Sequence, residues 1–235
     1  FQGRHVGTLG HTGCFSFHPR KAITTGEGGM ITTNDGQLAE RLRRLRDHGA
    51  AMSDLQRHLG PKPYLLADHP DAGYNQRMTD LQAALGAAQM QRAEAIVAER
   101  RHLAARYDAV FADLDWLQTP VAPAGYGHGY QSYPCLFEPE QVHQAIQNGD
   151  QHQLIAVHER RNAWMEALQQ QGVSTRPATH AVHMLSYYRE KYHLKPEQFS
   201  AAQAANNCSI SLPLFHGIKQ EEQQHVINIV KSRNM

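Results

Sequence analysis

The sequence predicts an α/β fold in two parts. Near the N-terminus, short apolar segments beside glycine-rich turns are typical of strands, whereas residues 79–114 carry a helical periodicity of apolar positions. The last third alternates short strand-like and helix-like segments. With 235 residues, 41% of them hydrophobic, the chain is long enough for one large or two modest domains. We expect the domain boundary between residues 98 and 99.

Two strands are predicted close to the N-terminus, with one lysine between them. Residues 14–17 read as a short buried strand, and residues 30–33 as a second strand after the turn at Gly28 and Gly29. This arrangement predicts that Lys21 lies in a tight, partly dry pocket. A desolvated lysine loses its proton more easily, and its neutral amine can then attack a carbonyl carbon.

The first part also predicts two helices. Residues 34–35 indicate the start of one, because leucines then recur at helical spacing until near Gly49, and its arginines are interpreted as a solvated face. Residues 51–72 lack periodicity and predict a long loop. Residues 79–114 predict a single long helix with an N-terminal cap. Gly86 inside it costs about 1 kcal/mol relative to alanine, which favours close backbone packing there.

The second part predicts a small α/β domain. Residues 130–137 read as a strand, residues 161–170 as an amphipathic helix ended by Gly172, and residues 220–230 as a terminal helix. Residues 138–158 are polar and rich in glutamine and histidine. We expect them to form an insertion or flexible loop without a catalytic role.

Composition argues against several classes of partner. The 23 lysines and arginines nearly balance the 22 aspartates and glutamates, so no overall charge favours nucleic acid or an anionic membrane. No apolar run approaches the roughly 20 residues that cross a bilayer. Cys14, Cys135 and Cys208 lie far apart and lack the spacing of a zinc site or a disulfide framework, so a reducing cytoplasm is the expected compartment.

The sixteen histidines leave a metal-binding or structural module open as an alternative. His180 and His183 could share one helix face and bind zinc. There is no His-Glu-x-x-His arrangement, however, and scattered histidines are more often surface residues than ligands. We therefore expect no metal site.

Four ordered motifs carry a resemblance to a known family. They are Ser16-Phe-His followed by Lys21 and Gly26-Glu-Gly-Gly29, then Arg46-Asp-His-Gly49, then residues 73–80, and finally residues 209–215. Together they resemble the DegT/DnrJ/EryC1/StrS family of sugar aminotransferases, which depend on pyridoxal 5′-phosphate (PLP). The resemblance implies the C-terminal part of a fold-type-I large domain, with a mainly parallel sheet flanked by helices, joined by a long helix to a small α/β domain. It also implies an N-terminal segment, outside this sequence, with further cofactor-binding residues.

The resemblance assigns roles to the residues near the lysine. Lys21 would form the internal aldimine with PLP and then move protons as general acid and base. Ser16 would donate to the cofactor phosphate. Asn75 would reach the phosphate of a neighbouring subunit's cofactor, with Arg77 adding positive charge, which implies a homodimer with shared active sites.

Further residues resemble substrate contacts of the family. His48 matches a recurrent histidine near the site, and Arg176, His180 and His183 lie in a stretch where relatives approach a sugar nucleotide. An arginine suits a pyrophosphate because its planar group donates two parallel hydrogen bonds.

The implied reaction moves an amino group from glutamate to a keto group of a nucleotide-linked sugar, with a 4-keto-6-deoxyhexose as the expected substrate. A keto-cyclitol is the main rival substrate. Some relatives instead remove a sugar hydroxyl, but these replace the lysine by histidine, so Lys21 favours amino transfer. A non-catalytic scaffold also remains open.

Overall fold

Helices and short strands alternate along the chain, and the predicted α/β class is confirmed. The computed structural model describes residues 1–52, 56, 59–60, 62, 64 and 66–233. These fold as two compact units, Phe1–Glu94 and Ala95–Met235. The domain boundary after residue 98 stays a prediction.

The sheet of the first unit is an antiparallel pair. Strand β1, Gly13–Ser16, pairs with β2, Gly29–Thr32, so that Cys14 lies opposite Ile31. Both predicted strands are thus present, but the expectation that the first is buried is wrong, since Cys14 is exposed. The described part of the first unit holds no third strand on this sheet, and every residue of β2 is exposed. The mainly parallel sheet stays a prediction.

Both helix starts of the first unit are where the sequence predicts them. Helix α1, Gly36–Arg46, begins where the Asp35 carboxylate accepts hydrogen bonds from two backbone amides of the first turn. Helix α2, Asp80–Met90, begins with a capping box between Thr79 and Gln82.

The prediction of one long helix is wrong, because the helical segment is interrupted. Helix α2 ends at Met90, and α3, Ala93–Phe111, follows after a break at Gln91 and Arg92. The Arg92 amide donates to the Gln89 carbonyl at 2.9 Å, a tight turn that closes α2. The helical spacing of apolar residues continues on both sides of the break, so the sequence pattern does not reveal the break. The loop predicted at residues 51–72 lies partly outside the described residues, and residues 66–72 form neither helix nor strand.

The second unit is built around a three-stranded antiparallel sheet with the order β3–β4–β5. Its strands are β3, Leu117–Gln118, β4, Tyr133–Phe137, and β5, Ser209–Leu212. Its further helices are α4, Pro139–Asn148, α5, Gln151–Gln170, α6, Ser186–Lys191, α7, Ser200–Cys208, and α8, Gln220–Lys231. The predicted strand, central helix and terminal helix are therefore all found.

The prediction of a flexible insertion at residues 138–158 is wrong. This segment forms α4 and the first turns of α5, with Val142, Ala145, Leu154 and Val157 buried at helical spacing. The histidines and glutamines that make it look loop-like lie mostly on the exposed faces. Burial of four small apolar side chains therefore outweighs the polar composition.

The C-terminal end of the second unit is held by an arginine in an aromatic cage. The Arg233 guanidinium lies 4.4 Å from the Trp116 ring centroid and 4.3 Å from that of Phe137. It donates to the Glu138 carboxylate at 3.0 Å, and Arg160 donates to the same carboxylate at 2.9 Å. Burial raises the pKa of Glu138, but hydrogen bonds and charge from the two arginines outweigh it and lower that pKa overall.

Candidate active site

The loop between β1 and β2 carries Lys21 and is closed by backbone hydrogen bonds. At its base, the Phe17 amide donates to the Gly28 carbonyl at 2.9 Å, and the Thr25 amide donates to the Phe17 carbonyl at 3.0 Å. The Lys21 amide donates to the His18 carbonyl at 2.9 Å, which forms a tight turn before the lysine. The backbone that presents the lysine side chain is therefore well fixed.

Lys21 itself is exposed, so the expected partly dry pocket is not formed by the residues that the structure describes. The buried member of the loop is Thr25, which is 3% exposed. Within the described part of the chain, the Lys21 ammonium makes no hydrogen bond or ion pair. Its amine is consequently available to a ligand.

Helix α2 fastens this loop through two glutamines. Gln89 Oε1 accepts from the Thr24 amide at 3.1 Å, while its Nε2 donates to the Thr24 carbonyl at 2.5 Å. Gln82 Nε2 donates to the Glu27 carbonyl at 2.9 Å. Sequence reasoning missed both glutamines, although their spacing of seven residues places them on one helix face.

Gly86 lies between these glutamines on the same face of α2. A Cβ at Gly86 would lie 2.9 Å from Thr25 Cγ2, so only glycine permits this approach without a shift. The close packing that the sequence predicts at Gly86 is thereby confirmed.

Ser16 ends β1, five positions before the lysine. Its Oγ accepts from the His18 amide at 3.4 Å, and the side chain is exposed. Because the oxygen only accepts in that hydrogen bond, the hydroxyl proton remains able to donate to a ligand.

A groove of about 970 Å³ lies between the two strands, α1 and the start of α2. Three arginines line it, Arg43, Arg46 and Arg77, whereas Ser16 and Lys21 do not. The solvated face that the sequence predicts for α1 is confirmed for Arg41, Arg43 and Arg46, which are exposed. Arg43 pairs with Glu40, and Arg44 pairs with Asp71 at 2.8 Å.

The end of α1 positions Asn75 and Arg77. The His48 amide donates to the Tyr74 carbonyl at 2.8 Å, and Asp47 forms a bridge with Asn75. Arg77 donates to the Asp47 carboxylate at 2.9 Å. The structure thus brings His48, Asn75 and Arg77 together, with the side chains of all three exposed.

Glycine is required at residue 49 for the pairing of residues 47–48 with residues 74–75. Gly49 has a φ of +78°, and a Cβ there would lie 1.8 Å from the Asp71 carbonyl oxygen. Both the left-handed conformation and the close approach exclude other residues without rearrangement.

The remaining predicted residues lie in the second unit. The Arg176 carbonyl accepts from the Ser211 amide at 2.7 Å, which ties this residue to β5 while its side chain is exposed. His180 is exposed, whereas His183 is 7% exposed and donates from Nε2 to the Pro196 carbonyl at 3.2 Å. Of the two histidines, His180 therefore has the more accessible ring.

The polar groups around the first unit's loop suit an anionic ligand that carries an aldehyde. At this loop Lys21 offers an amine and Ser16 a hydroxyl, and at the end of α1 Asn75 offers an amide and Arg77 a guanidinium. All four groups can donate hydrogen bonds to phosphate oxygens. This donor set fits PLP. Among the residues that the structure describes, no group of three histidine, cysteine, aspartate or glutamate side chains could hold a metal ion.

Comparisons with known proteins agree with this chemistry. The model of the DegT/DnrJ/EryC1/StrS aminotransferase family matches residues 1–231. The uncharacterized protein MJ1066 of Methanocaldococcus jannaschii is 30% identical over 231 residues, which cover 98% of this chain and 56% of that protein. No helix in the described part of the chain is long and apolar enough to cross a membrane.

Solved structures give the same result for the fold. The aminotransferase TlmJ from Streptoalloteichus hindustanus is 27% identical, with a TM-score of 0.78 over 98% of this chain and 54% of that one. The PMP form of a putative sugar aminotransferase from Streptococcus pneumoniae is 22% identical, with a TM-score of 0.81 over 99% and 55% of the two chains. The chain therefore spans about half the length of the relatives that it matches.

Proposed function

Because the chain belongs to the DegT/DnrJ/EryC1/StrS aminotransferase family, we propose that the protein is a PLP-dependent sugar aminotransferase whose catalytic residue is Lys21. The observation that carries the proposal is the Lys21 amine, which makes no hydrogen bond or ion pair within the described residues and projects from a loop that α2 holds in place. The donor is glutamate, the acceptor is a nucleotide-linked 4-keto-6-deoxyhexose, and the product is an amino sugar.

Lys21 has two tasks in this proposal. Its Nζ would hold the cofactor through the aldehyde group and, once the donor amine has displaced it, would act first as the base that takes a proton from the donor's α-carbon and then as the acid that gives this proton back to the bound molecule. When bound, PLP supplies an electron-withdrawing ring that stabilises the charge developing at that carbon. The hydrogen bonds at the base of the loop fix the backbone from which this side chain extends.

The other polar groups bind and orient. Ser16 donates to the cofactor phosphate, and Asn75 and Arg77 supply further donors to a phosphate in a second subunit. The Asp47 carboxylate fixes the Arg77 guanidinium at 2.9 Å and thereby selects its direction. We propose a homodimer in which each active site combines residues of both subunits.

Substrate contacts are assigned to exposed side chains. Arg176 would bind the pyrophosphate, while His48 and His180 would contact the sugar. The buried ring of His183 would instead support the loop that carries them, through its hydrogen bond to Pro196. A cytoplasmic enzyme of amino sugar biosynthesis fits this substrate.

The first experiment measures amino transfer by the full-length protein supplied with PLP. We expect 2-oxoglutarate to form from glutamate when a nucleotide-linked 4-keto-6-deoxyhexose is present, and Lys21→Ala to lower the rate by about 10³-fold or more. Lys191→Ala is the matched control, because Lys191 is an exposed lysine that contacts Tyr187 and no proposed site residue. Equal rates in the two variants would contradict the proposed role of Lys21.

A keto-cyclitol is the alternative acceptor. Offering both ketones separately with glutamate distinguishes the two substrates by which one yields 2-oxoglutarate. The shared site is tested by mixing Lys21→Ala with Asn75→Ala subunits, since a heterodimer then contains one intact site. Random mixing should restore about a quarter of the normal activity, whereas independent subunits would restore none.

A further inference from the structure

Thr25 is the buried residue of the loop that carries Lys21, since residues 17–24 and 26–28 are half-buried or exposed. Its backbone is held at the base of the loop, where its amide donates to the Phe17 carbonyl at 3.0 Å. The preceding residue, Thr24, is held by two hydrogen bonds with Gln89. The Thr25 backbone is therefore fixed, and both branches of its side chain make contacts of their own.

The methyl branch of Thr25 enters a notch in α2 at Gly86. A Cβ at Gly86 would lie 2.9 Å from Thr25 Cγ2, which is closer than two packed carbon atoms approach. The notch therefore has the depth of one methyl group. Glycine in a helix interior lowers helix stability relative to alanine, and this contact gives a physical reason for its presence here.

The hydroxyl branch of Thr25 fixes the glycine-rich turn that closes the loop. Thr25 Oγ1 donates to the Glu27 carbonyl at 2.8 Å. A Cβ at Gly28 would lie 2.4 Å from Thr25 Oγ1 and 2.9 Å from Met78 Cε. Thr25 and Met78 therefore both pack closely against Gly28, and the loop is held against the segment that precedes α2.

We propose that Thr25 is a positioning residue for the amine of Lys21. Its two branches fix the loop against α2 and against Met78, and this contact sets the place from which the lysine side chain extends. A misplacement of about 1 Å can lower the rate of an enzymatic reaction by about 10²-fold. The proposal rests on the proposed function, in which Lys21 is the reacting amine, and Thr25 acts on the reaction only through the loop backbone.

The first test fills the notch in the full-length protein supplied with PLP. In Gly86→Ala the added methyl group meets Thr25 Cγ2, and because the Thr25 backbone is held by hydrogen bonds, the loop that carries Lys21 must shift. We expect kcat to fall about tenfold while the KM for glutamate stays unchanged, since Thr25 does not contact the donor. Gly36→Ala is the matched control, because it also adds a methyl group to a helix of the first unit but meets no atom within 4 Å.

A rescue experiment separates positioning from a general loss of stability. Thr25→Ser removes Cγ2 and keeps the hydroxyl group, so it makes room for the methyl group of Gly86→Ala. We expect the double variant to recover kcat to within about threefold of the unmodified protein. A general weakening of the fold would become worse when a further buried methyl group is removed. An unchanged kcat in Gly86→Ala, or a double variant no faster than Gly86→Ala, would overturn the proposal.

Thr25→Ser alone serves if Gly86→Ala does not fold. This variant empties the notch, and we expect kcat to fall about threefold as the loop loses its fixed place on α2. Thr33→Ser is the matched control, because the Thr33 hydroxyl also donates to a backbone carbonyl, that of His11. Equal kcat values in Thr25→Ser and in the unmodified protein would overturn the proposal.

Hydrogen exchange of residues 21–28 in protein without PLP separates this proposal from the proposed function. We expect exchange to accelerate in Gly86→Ala and to return to its original rate in the double variant. A protein that binds PLP at Lys21, but in which neither kcat nor exchange responds to Gly86→Ala, would keep its function and overturn the role of Thr25. A protein whose exchange responds as expected but that never binds PLP would keep the contact between Thr25 and Gly86 and overturn the proposed function.

Discussion

Gln89 holds the loop that carries Lys21 through hydrogen bonds to Thr24, and its replacement should loosen that loop without unfolding the protein. Gln89→Met preserves the length of the side chain but removes both hydrogen bonds to Thr24. Each such bond contributes about 0.5–1.5 kcal/mol net, so the closed loop should lose about 2 kcal/mol. That loss corresponds to about a 30-fold increase in the population of the open loop.

Hydrogen exchange of the backbone amides in residues 21–28 measures this opening. We expect exchange there to accelerate in Gln89→Met, and to stay unchanged in Gln91→Met, a matched control whose exposed glutamine makes no side-chain hydrogen bond in the described part of the chain. Equal protection of the loop in Gln89→Met and in the unmodified protein would refute the reasoning.

Gln89→Glu sharpens the test, because a carboxylate can accept from the Thr24 amide but cannot donate to the Thr24 carbonyl. Exchange should therefore be intermediate between the unmodified protein and Gln89→Met at neutral pH. Protonation of the carboxylate restores a donor, so protection should recover as the pH falls below the pKa of that carboxyl group.

Three further predictions concern stability. Arg233→Ala should lower the free energy of unfolding by about 2–3 kcal/mol in urea titrations. Because Glu138 has a pKa below its ordinary 4.5 in the folded protein, its ion pairs stabilise the fold above that pH and are lost as the pH falls through the lowered pKa. The loss of stability caused by Arg233→Ala should therefore become smaller in acid, and the same loss at every pH would contradict this explanation. Gly49→Ala should lower the free energy of unfolding by about 3 kcal/mol or more, and Gly26→Ala by only about 1 kcal/mol. Both glycines have a positive φ, but only at Gly49 would the added Cβ clash with a neighbouring atom. Equal melting temperatures of the two variants would contradict this difference. Thr79→Ala removes the capping box of α2 and should lower the free energy of unfolding by about 1 kcal/mol. A melting temperature equal to that of the unmodified protein would contradict this prediction.

The local features of this fold were predictable because nearby residues determine them. The Asp35 and Thr79 caps act on amides two or three residues away, and the turn at Gly28 leads directly into β2 at Gly29. The same is true of the motif around Lys21, whose residues are contiguous.

Other features depend on contacts that no local pattern encodes. The bonds between Gln89 and Thr24 span 65 positions, and a glutamine that caps a loop looks like any surface glutamine in the sequence. The helices at residues 139–158 were missed because their polar faces dominate the composition while only four small apolar residues are buried. The exposure of Lys21 was missed because Thr25, and not the lysine, is the buried residue of the loop.

The most direct test of the central claim is the absorbance of the full-length protein with PLP, followed by borohydride reduction and mass spectrometry of its peptides. If Lys21 is the catalytic amine, a visible band should form, disappear when glutamate is added, and leave a reduced PLP adduct on Lys21. A protein that shows no band, or carries its reduced adduct on another lysine, would contradict the account.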